Sequence, residues 1–363
     1  ELMKVGGGTL EIGGTQANAI ATAPRVQRGT LLLNKSPGVA AFNSSGATVV
    51  VGDDLAGAAT LRFGAANQLP AATNLLVASN GTVDLNGQSQ IVSGLILTSG
   101  TLGGAQVSIG AGGTLTNTGG LALQSASGAS LGGSSTISGG TLALTTFTAA
   151  TNATRTWQVN DVAVGVDLLV TSAIVDGGGL ASMSLTKQGV GTLKFGGAVS
   201  NSYTGTTTVS NGTLLLGKTA SALAMSGPLV VGDANLTGGG LQSDLVRWEA
   251  SNQLPAWQAP VTVNAAGWLD LDGFSQAIGA ADDATALSIN LGVVDTDAGT
   301  LTLNGNLTLT AATTSAGLSA PSSAANVFGA TVNGNATLIA PPQLNGNVSI
   351  GDGFARRFDV QDR

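Results

Sequence analysis

Apolar residues in this chain fall in short alternating runs. Residues 8–12 read Gly8-Thr9-Leu10-Glu11-Ile12, which sets Leu10 and Ile12 on one side of an extended strand and Thr9 and Glu11 on the other. The runs at 29–33, 60–63, 81–85, 191–195 and 212–216 have the same build. Between them stand Gly, Asn, Ser and turns such as Pro37-Gly38 and Asn86-Gly87. Lys, Glu and Arg are scarce, while Gly, Thr, Ser, Asn and Val fill the chain, so the pattern predicts strands and no helices.

Many of the runs open on the same triplet. Gly8-Thr9-Leu10 and Gly29-Thr30-Leu31 lie 29 − 8 = 21 residues apart, and Gly191-Thr192-Leu193 and Gly212-Thr213-Leu214 lie 212 − 191 = 21 apart. Gly100-Thr101-Leu102, Gly113-Thr114-Leu115 and Gly140-Thr141-Leu142 continue the series. A longer repeat is superposed on this one. Leu185, Lys187 and Gly191 match Leu2, Lys4 and Gly8 at an offset of 191 − 8 = 183. Asn252-Gln253-Leu254-Pro255 repeats Asn67-Gln68-Leu69-Pro70 letter for letter. Leu269-Asp270-Leu271-Asp272-Gly273 matches Val83-Asp84-Leu85-Asn86-Gly87, Gly299-Thr300-Leu301 matches Gly113-Thr114-Leu115, and Arg357-Phe358-Asp359-Val360 resembles Thr156-Trp157-Gln158-Val159. Residues 1–184 therefore read as one long repeat, and residues 185–363 as a second that continues it. Both are expected to be pieces of a longer array, with any export signal lying outside it.

Steps of about 20 residues are the scale of solenoid coils. In a β-solenoid each strand pairs in parallel with its equivalent one coil away, at about 4.8 Å, and inward side chains stack on their equivalents. Corners call for positive φ, which Gly supplies and Asn tolerates. A string of β-sandwiches would explain the alternation but not the fixed step. A propeller would need a dominant blade-sized repeat, which the chain lacks.

Composition narrows the chemistry. Hydrophobic residues make up 43% of the chain and charged residues 9%, the reverse of a disordered segment. No run approaches the ~18 apolar residues of a membrane helix. The net charge of −7 argues against nucleic acid or an acidic membrane as partner. With no Cys and no His, disulfides, thiolate nucleophiles and imidazole bases are excluded.

The stretch from Leu185 to Lys218 resembles a known family. It shows a Leu-x-Lys-x-Gly-x-Gly-Thr-Leu strand (Leu185, Lys187, Gly189, Gly191 to Leu193), then Tyr203-Thr204-Gly205 with Thr207 and Val209, then Gly212 to Leu214. This is similar to the autotransporter-associated β-strand repeat, or passenger-associated transport repeat. The first copy keeps both Gly-Thr-Leu strands but lacks the Tyr-Thr-Gly segment. The resemblance implies a right-handed, single-stranded parallel β-helix in an exported bacterial surface protein. It brings no catalytic residue with it.

Several side chains are candidates for chemistry. The carboxylate groups are Asp53-Asp54, Asp270 with Asp272, Asp282-Asp283, and Asp295 with Asp297. Asp270 and Asp272 sit two apart and are expected to share a strand face, where they would suit calcium or an acid/base pair. Their counterparts Asp84 and Asn86 flank an Asn-Gly turn, so turn formation explains both. The calcium-binding nonapeptide of β-rolls does not occur. Trp248, Trp257 and Trp268 would suit a sugar-stacking surface. Trp248 aligns with Phe63, however, and is expected in the core. The Gly runs 177–179 and 238–240 lack the Lys-Ser/Thr of a phosphate loop. Asn80-Gly81-Thr82 reads as a corner.

The expectation is a non-enzymatic structural segment, a stalk, fibre or surface-layer element, with no catalytic residue, metal or cofactor. An adhesin or glycan-binding passenger is the alternative, and a carbohydrate lyase or hydrolase a remote one. Expected partners are further copies, end to end or laterally, other surface components, or a glycan.

Overall fold

The computed structural model describes residues 2–20, 22–43, 45–126, 132–146, 152–163, 165–178, 182–219, 221–234, 236, 239–256, 259–279, 285–304, 306–311, 343–350 and 358–362. Among them there are strands and turns but no helix, and so no helix long and apolar enough to cross a membrane. The chain forms two compact units, Glu1–Thr204 and Gly205–Arg363.

In Glu1–Thr204 the strands build three sheets. The first runs Met3–Lys4, Arg25–Val26, Thr48–Val51, Asn74–Val77, Leu95–Gly100, Leu121–Ser125, Ala153–Val159 and Met183–Gln188. The second runs Thr9–Gly14, Gly29–Lys35, Ala59–Phe63, Gly81–Asp84, Gln106–Ser108, Ser135–Ser138, Leu168–Val170 and Thr192–Phe195. A third, shorter sheet holds Gln90–Val92, Thr114–Asn117, Thr141–Leu144 and Ala173–Asp176. Neighbours in each sheet are parallel; the antiparallel exception among the described strands is Gly103–Gly104 against Leu95–Gly100. Parallel ladders between strands a full turn of chain apart make a β-solenoid, not a stack of antiparallel sandwiches.

The alternation read from the sequence is the alternation between inside and outside. On the second sheet, Leu31, Leu61, Val83, Val107, Ile137, Val170 and Phe195 follow one another in register, each fully buried. On the first sheet Val26, Val51, Val77, Leu97, Leu123 and Val159 do the same. Burial of each such side chain is worth about 1.5–3 kcal/mol. A one-residue slip would turn the whole column outward, so this face fixes the register.

The coil is not uniform. Register partners step from Leu75 to Leu95 (95 − 75 = 20) in one turn and from Leu121 to Trp157 (157 − 121 = 36) in another. Loops absorb the difference while strands keep register. The Gly-Thr-Leu triplets also fall on different faces. Those at Gly8 and Gly29 open second-sheet strands, those at Gly113 and Gly140 open third-sheet strands, and Gly100 ends a first-sheet strand. The triplet marks a corner followed by a strand, wherever that corner stands.

Nor is every corner glycine there for positive φ. Gly29 does take φ +69°, whereas Gly81 lies outside the left-handed region. A Cβ on Gly81 would meet the Val51 carbonyl oxygen at 2.2 Å, so that glycine answers to the close approach of the neighbouring coil.

In Gly205–Arg363 the same scheme recurs. Thr207–Val209, Leu229–Val231, Val261–Val263, Thr285–Asn290, Asn306–Ala311 and Phe358–Asp362 form one parallel sheet. Gly212–Leu216, Asp244–Trp248, Gly267–Asp270, Val293–Asn304 and Gln343–Ile350 form another. Gln276–Gly279 pairs with the far end of Val293–Asn304, where Gln276 stands opposite Leu301 as Gln90 stands opposite Leu115.

Candidate functional site

The most distinctive side chains are polar ones inside the coil. Gln68, Gln90, Gln253 and Gln276 are each at most 2% exposed. Each amide grips the backbone of another coil on both of its faces. The Lys35 N–H donates to Gln68 Oε1 at 2.7 Å, and Gln68 Nε2 donates to the Lys35 carbonyl at 3.3 Å. Lys218 and Gln253 repeat this at 2.8 and 3.0 Å. Leu69 is held by Gln90 at 3.1 and 3.0 Å, and Leu254 by Gln276 at 3.1 Å in both directions. An amide side chain thus supplies the donor and acceptor that a paired strand would supply, at a corner where the ladder lapses. This explains the repeated Asn-Gln-Leu-Pro. Asn67 and Asn252 turn the chain at φ 53° and 59°, the Gln clamps the backbone, and the Leu is buried.

Lysines do the same at the motif corner. Lys187 is fully buried, and its Nζ donates to the carbonyls of Gln188 and Gly189. Lys4, its counterpart, donates to the carbonyls of Val5, Gly6 and Arg28 at 3.1, 2.6 and 2.9 Å. Burial holds the Lys218 ammonium down at about 8, well below the usual lysine range.

The Tyr203-Thr204 segment covers an edge. The third sheet of the first unit ends at Ala173–Asp176. There the N–H groups of Ser202 and Tyr203 donate to the Ile174 carbonyl, and Asn201 Oδ1 accepts from the Ile174 N–H at 2.9 Å. Asp176 accepts from the Thr204 N–H at 2.9 Å, from Thr204 Oγ1 at 2.7 Å and from the Met183 N–H at 2.8 Å. Tyr203 is fully buried. Unpaired strand groups that would template aggregation are thereby taken up.

The carboxylates separate into turns and one cluster. The Asp53 and Asp54 N–H groups both donate to Asn80 Oδ1, and Asp54 Oδ1 accepts from the Ser79 N–H at 2.8 Å. That pair shapes a corner. Asp270, Asp272 and Asp297 bring carboxylate oxygens within 4.8 Å of one another. Asp270 and Asp272 do not share a flat strand face as expected. Asp270 ends its strand, Asp272 turns at φ 47°, and the Asp272 N–H donates to Asp270 Oδ1 at 2.8 Å. Asp295 and Asp297 repeat that turn one coil on. Asp270 is buried and paired with Arg247 through Nε and Nη2, each at 2.7 Å. Repulsion from Asp295 first, then partial desolvation, then the charges of Asp270 and Asp272 raise the Asp297 carboxyl above its ordinary range, while Arg247 opposes the shift. Oxygen-rich clusters of this kind suit hard divalent cations. The first unit makes the same turn with Asp84 and Asn86 beside Arg62, so the turn itself does not need the added charge.

Trp248 is fully buried, in register with Leu216, and its Nε1 donates to Gln276 at 3.1 Å. Trp268 lies half-buried on the outward side, in register with Leu245 and Val293. Trp257, Asp282, Asp283 and Arg357 lie outside the described residues. The glutamine clamps and buried lysines were legible only as repeated letters; their repetition together with an apolar neighbour was the available signal.

Parallel ladders, apolar columns and backbone clamps define the class, a β-solenoid whose interior polar groups serve its own corners. Within it, residues 185–216 match the family model of the passenger-associated-transport-repeat, so the chain carries a repeat of autotransporter passenger segments. No curated protein and no solved structure matches the chain.

Proposed function

We propose that this chain is a structural segment of an exported bacterial surface protein, a stalk or fibre element without catalysis. The supporting observation is the use made of buried polar groups. Gln68, Gln90, Gln253, Gln276, Lys4, Lys187 and Asp176 are all spent on the backbone of neighbouring coils or loops. A catalytic site would aim such groups at a shared cleft. The carboxylates at Asp53, Asp54 and Asp84 are likewise committed to turns, Asp53 accepting from the Leu55 N–H and from Asn80 Nδ2. The passenger repeat at 185–216 supports an exported setting. In this reading the repeats at 1–184 and 185–363 are successive lengths of one array, and spare strand edges stack copies end to end.

The test uses cells producing the whole protein. Proteinase K added outside intact cells is expected to digest the segment, and deletion of one long repeat is expected to shorten the surface projection in electron micrographs without blocking export. Protection of the segment until lysis would overturn the proposal. Self-association is read by sedimentation velocity, where a sedimentation coefficient independent of concentration speaks against stacking.

A further inference from the structure

The outward face of the second sheet in Glu1–Thr204 carries a groove of about 600 Å³. Thr30, Leu32, Thr60, Arg62, Asp84 and Asn86 line it. We propose that this groove binds an uncharged polysaccharide. The proposal adds a ligand to the stalk reading and does not depend on it.

Charge comes first. Arg62 Nε lies 3.3 Å from Asp84 Oδ2, and Arg62 Nη2 donates to Asn86 Oδ1 at 2.9 Å. The one cation of the lining is balanced by its one anion, so nothing draws a phosphate or a carboxylate. The guanidinium is nonetheless held still and half in water, with its side chain 48% exposed, and it keeps N–H donors for a ligand. Asn86 is fixed in turn, because its N–H donates to Asp84 Oδ1 at 2.9 Å.

Hydroxyls come second. Thr30 and Thr60 are register partners, so their outward Oγ1 atoms repeat at the coil spacing of about 4.8 Å. Neither hydroxyl makes a hydrogen bond to any described residue. A partly exposed row of groups that both donate and accept, beside fixed donors and a fixed carboxylate, matches a ligand whose own groups are hydroxyls. Leu32 is the apolar side chain of the lining, too little for the desolvated anchor of a protein partner. So open and polar a groove binds weakly, because little of a ligand is desolvated in it.

The groove owes its form to Gly64. A Cβ there would meet Asn34 Oδ1 at 2.5 Å, so the glycine lets the Asn34 side chain lie across the coil, where Asn34 Nδ2 donates to Glu11 at 2.8 Å.

The test is affinity electrophoresis of the whole chain in gels cast with dextran, xylan or galactomannan, with polygalacturonate as the anionic comparison. Retardation is expected in at least one neutral gel. It should weaken roughly tenfold in the double variant Thr30→Val/Thr60→Val and in Arg62→Leu, and persist in Trp268→Ala. Valine keeps the shape and strand preference of threonine, and far-UV circular dichroism with a melting curve verifies that each variant is folded. The proposal is overturned by migration unchanged in every neutral gel, by retardation that the groove variants leave intact or Trp268→Ala abolishes, or by retardation in polygalacturonate alone. Any of these leaves the stalk reading standing, since that reading rests on the buried glutamines and lysines and on the passenger repeat, none of which lies in this groove.

Discussion

Replacing Gln253 by Leu tests whether the amide clamps hold the coils together. In Gly205–Arg363, Gln253 Oε1 accepts from the Lys218 N–H at 2.8 Å, and Gln253 Nε2 donates to the carbonyls of Lys218 at 3.0 Å and Ser251 at 3.3 Å. Gln253 is 1% exposed, so water cannot replace it at Lys218. Leucine fits the volume and leaves the Lys218 N–H and carbonyl without these partners. Each buried group left unsatisfied costs about 1–3 kcal/mol. The better transfer of an apolar side chain returns roughly 0.8 kcal/mol per methylene. The net loss is on the order of 3 kcal/mol. Because solenoid stability is a sum over neighbouring coils, the loss is local. Native-state hydrogen exchange is therefore the right assay, and a single global melting temperature is not. Amides of Gly212–Leu216 and Asp244–Trp248 are expected to exchange on the order of 100-fold faster, at about 1.4 kcal/mol per factor of ten. Gln68→Leu should do the same to Gly29–Lys35, while Gln124→Leu, whose side chain is exposed, should leave exchange within threefold of wild type. Protection at Gly212–Leu216 unchanged within threefold in Gln253→Leu would refute the clamp argument.

Three further outcomes are expected. Lys218 is held near 8, so below that pH its charged form is penalised in the fold; stability should climb as pH rises from about 8 towards 10.5 and the unfolded chain alone keeps the proton. Lys218→Met should remove that slope in chemical denaturation curves. Asp297 has its carboxyl raised by neighbouring acids, so its penalty is absent below the ordinary carboxylate range and complete above its raised value. Asp297→Asn should therefore raise the melting temperature at neutral pH and flatten its fall through that window; no gain at pH 7 would count against the repulsion. Tyr203→Ala removes a buried aromatic at the cap of Ala173–Asp176 and should cost about 3–5 kcal/mol, with faster aggregation by light scattering than in an exposed variant such as Gln124→Leu.

The sequence was most legible where one physical rule acts alone. Leu31, Leu61 and Val83 alternate with polar neighbours because strand side chains alternate with period two, so their inward direction needed no structure. Trp248 was placed in the core by its match to Phe63, and both are fully buried. The motif of Leu185 to Leu214 was readable as a passenger repeat, but the work of its Tyr203 and Thr204 was not, because the strand edge they cover belongs to residues 173–176. Asp270, Asp272 and Asp297 show the same division. Each is visible as a turn residue, but only the coil step brings Asp297 back over Asp270.

By itself, then, the sequence determined the all-β class, the inward columns, the corner positions and the long repeat. All of these follow from local periodicity and the conformational needs of Gly and Asn. Only the tertiary structure decided which sheet each Gly-Thr-Leu strand joins, where the third sheet begins and ends, and which backbone groups the buried Gln and Lys side chains satisfy. The reason is that partners lie 20 to 36 residues apart across loops of unequal length in Glu1–Thr204. Periodicity specifies inside and outside along a strand but carries no information about which coil, or which face, a side chain will meet.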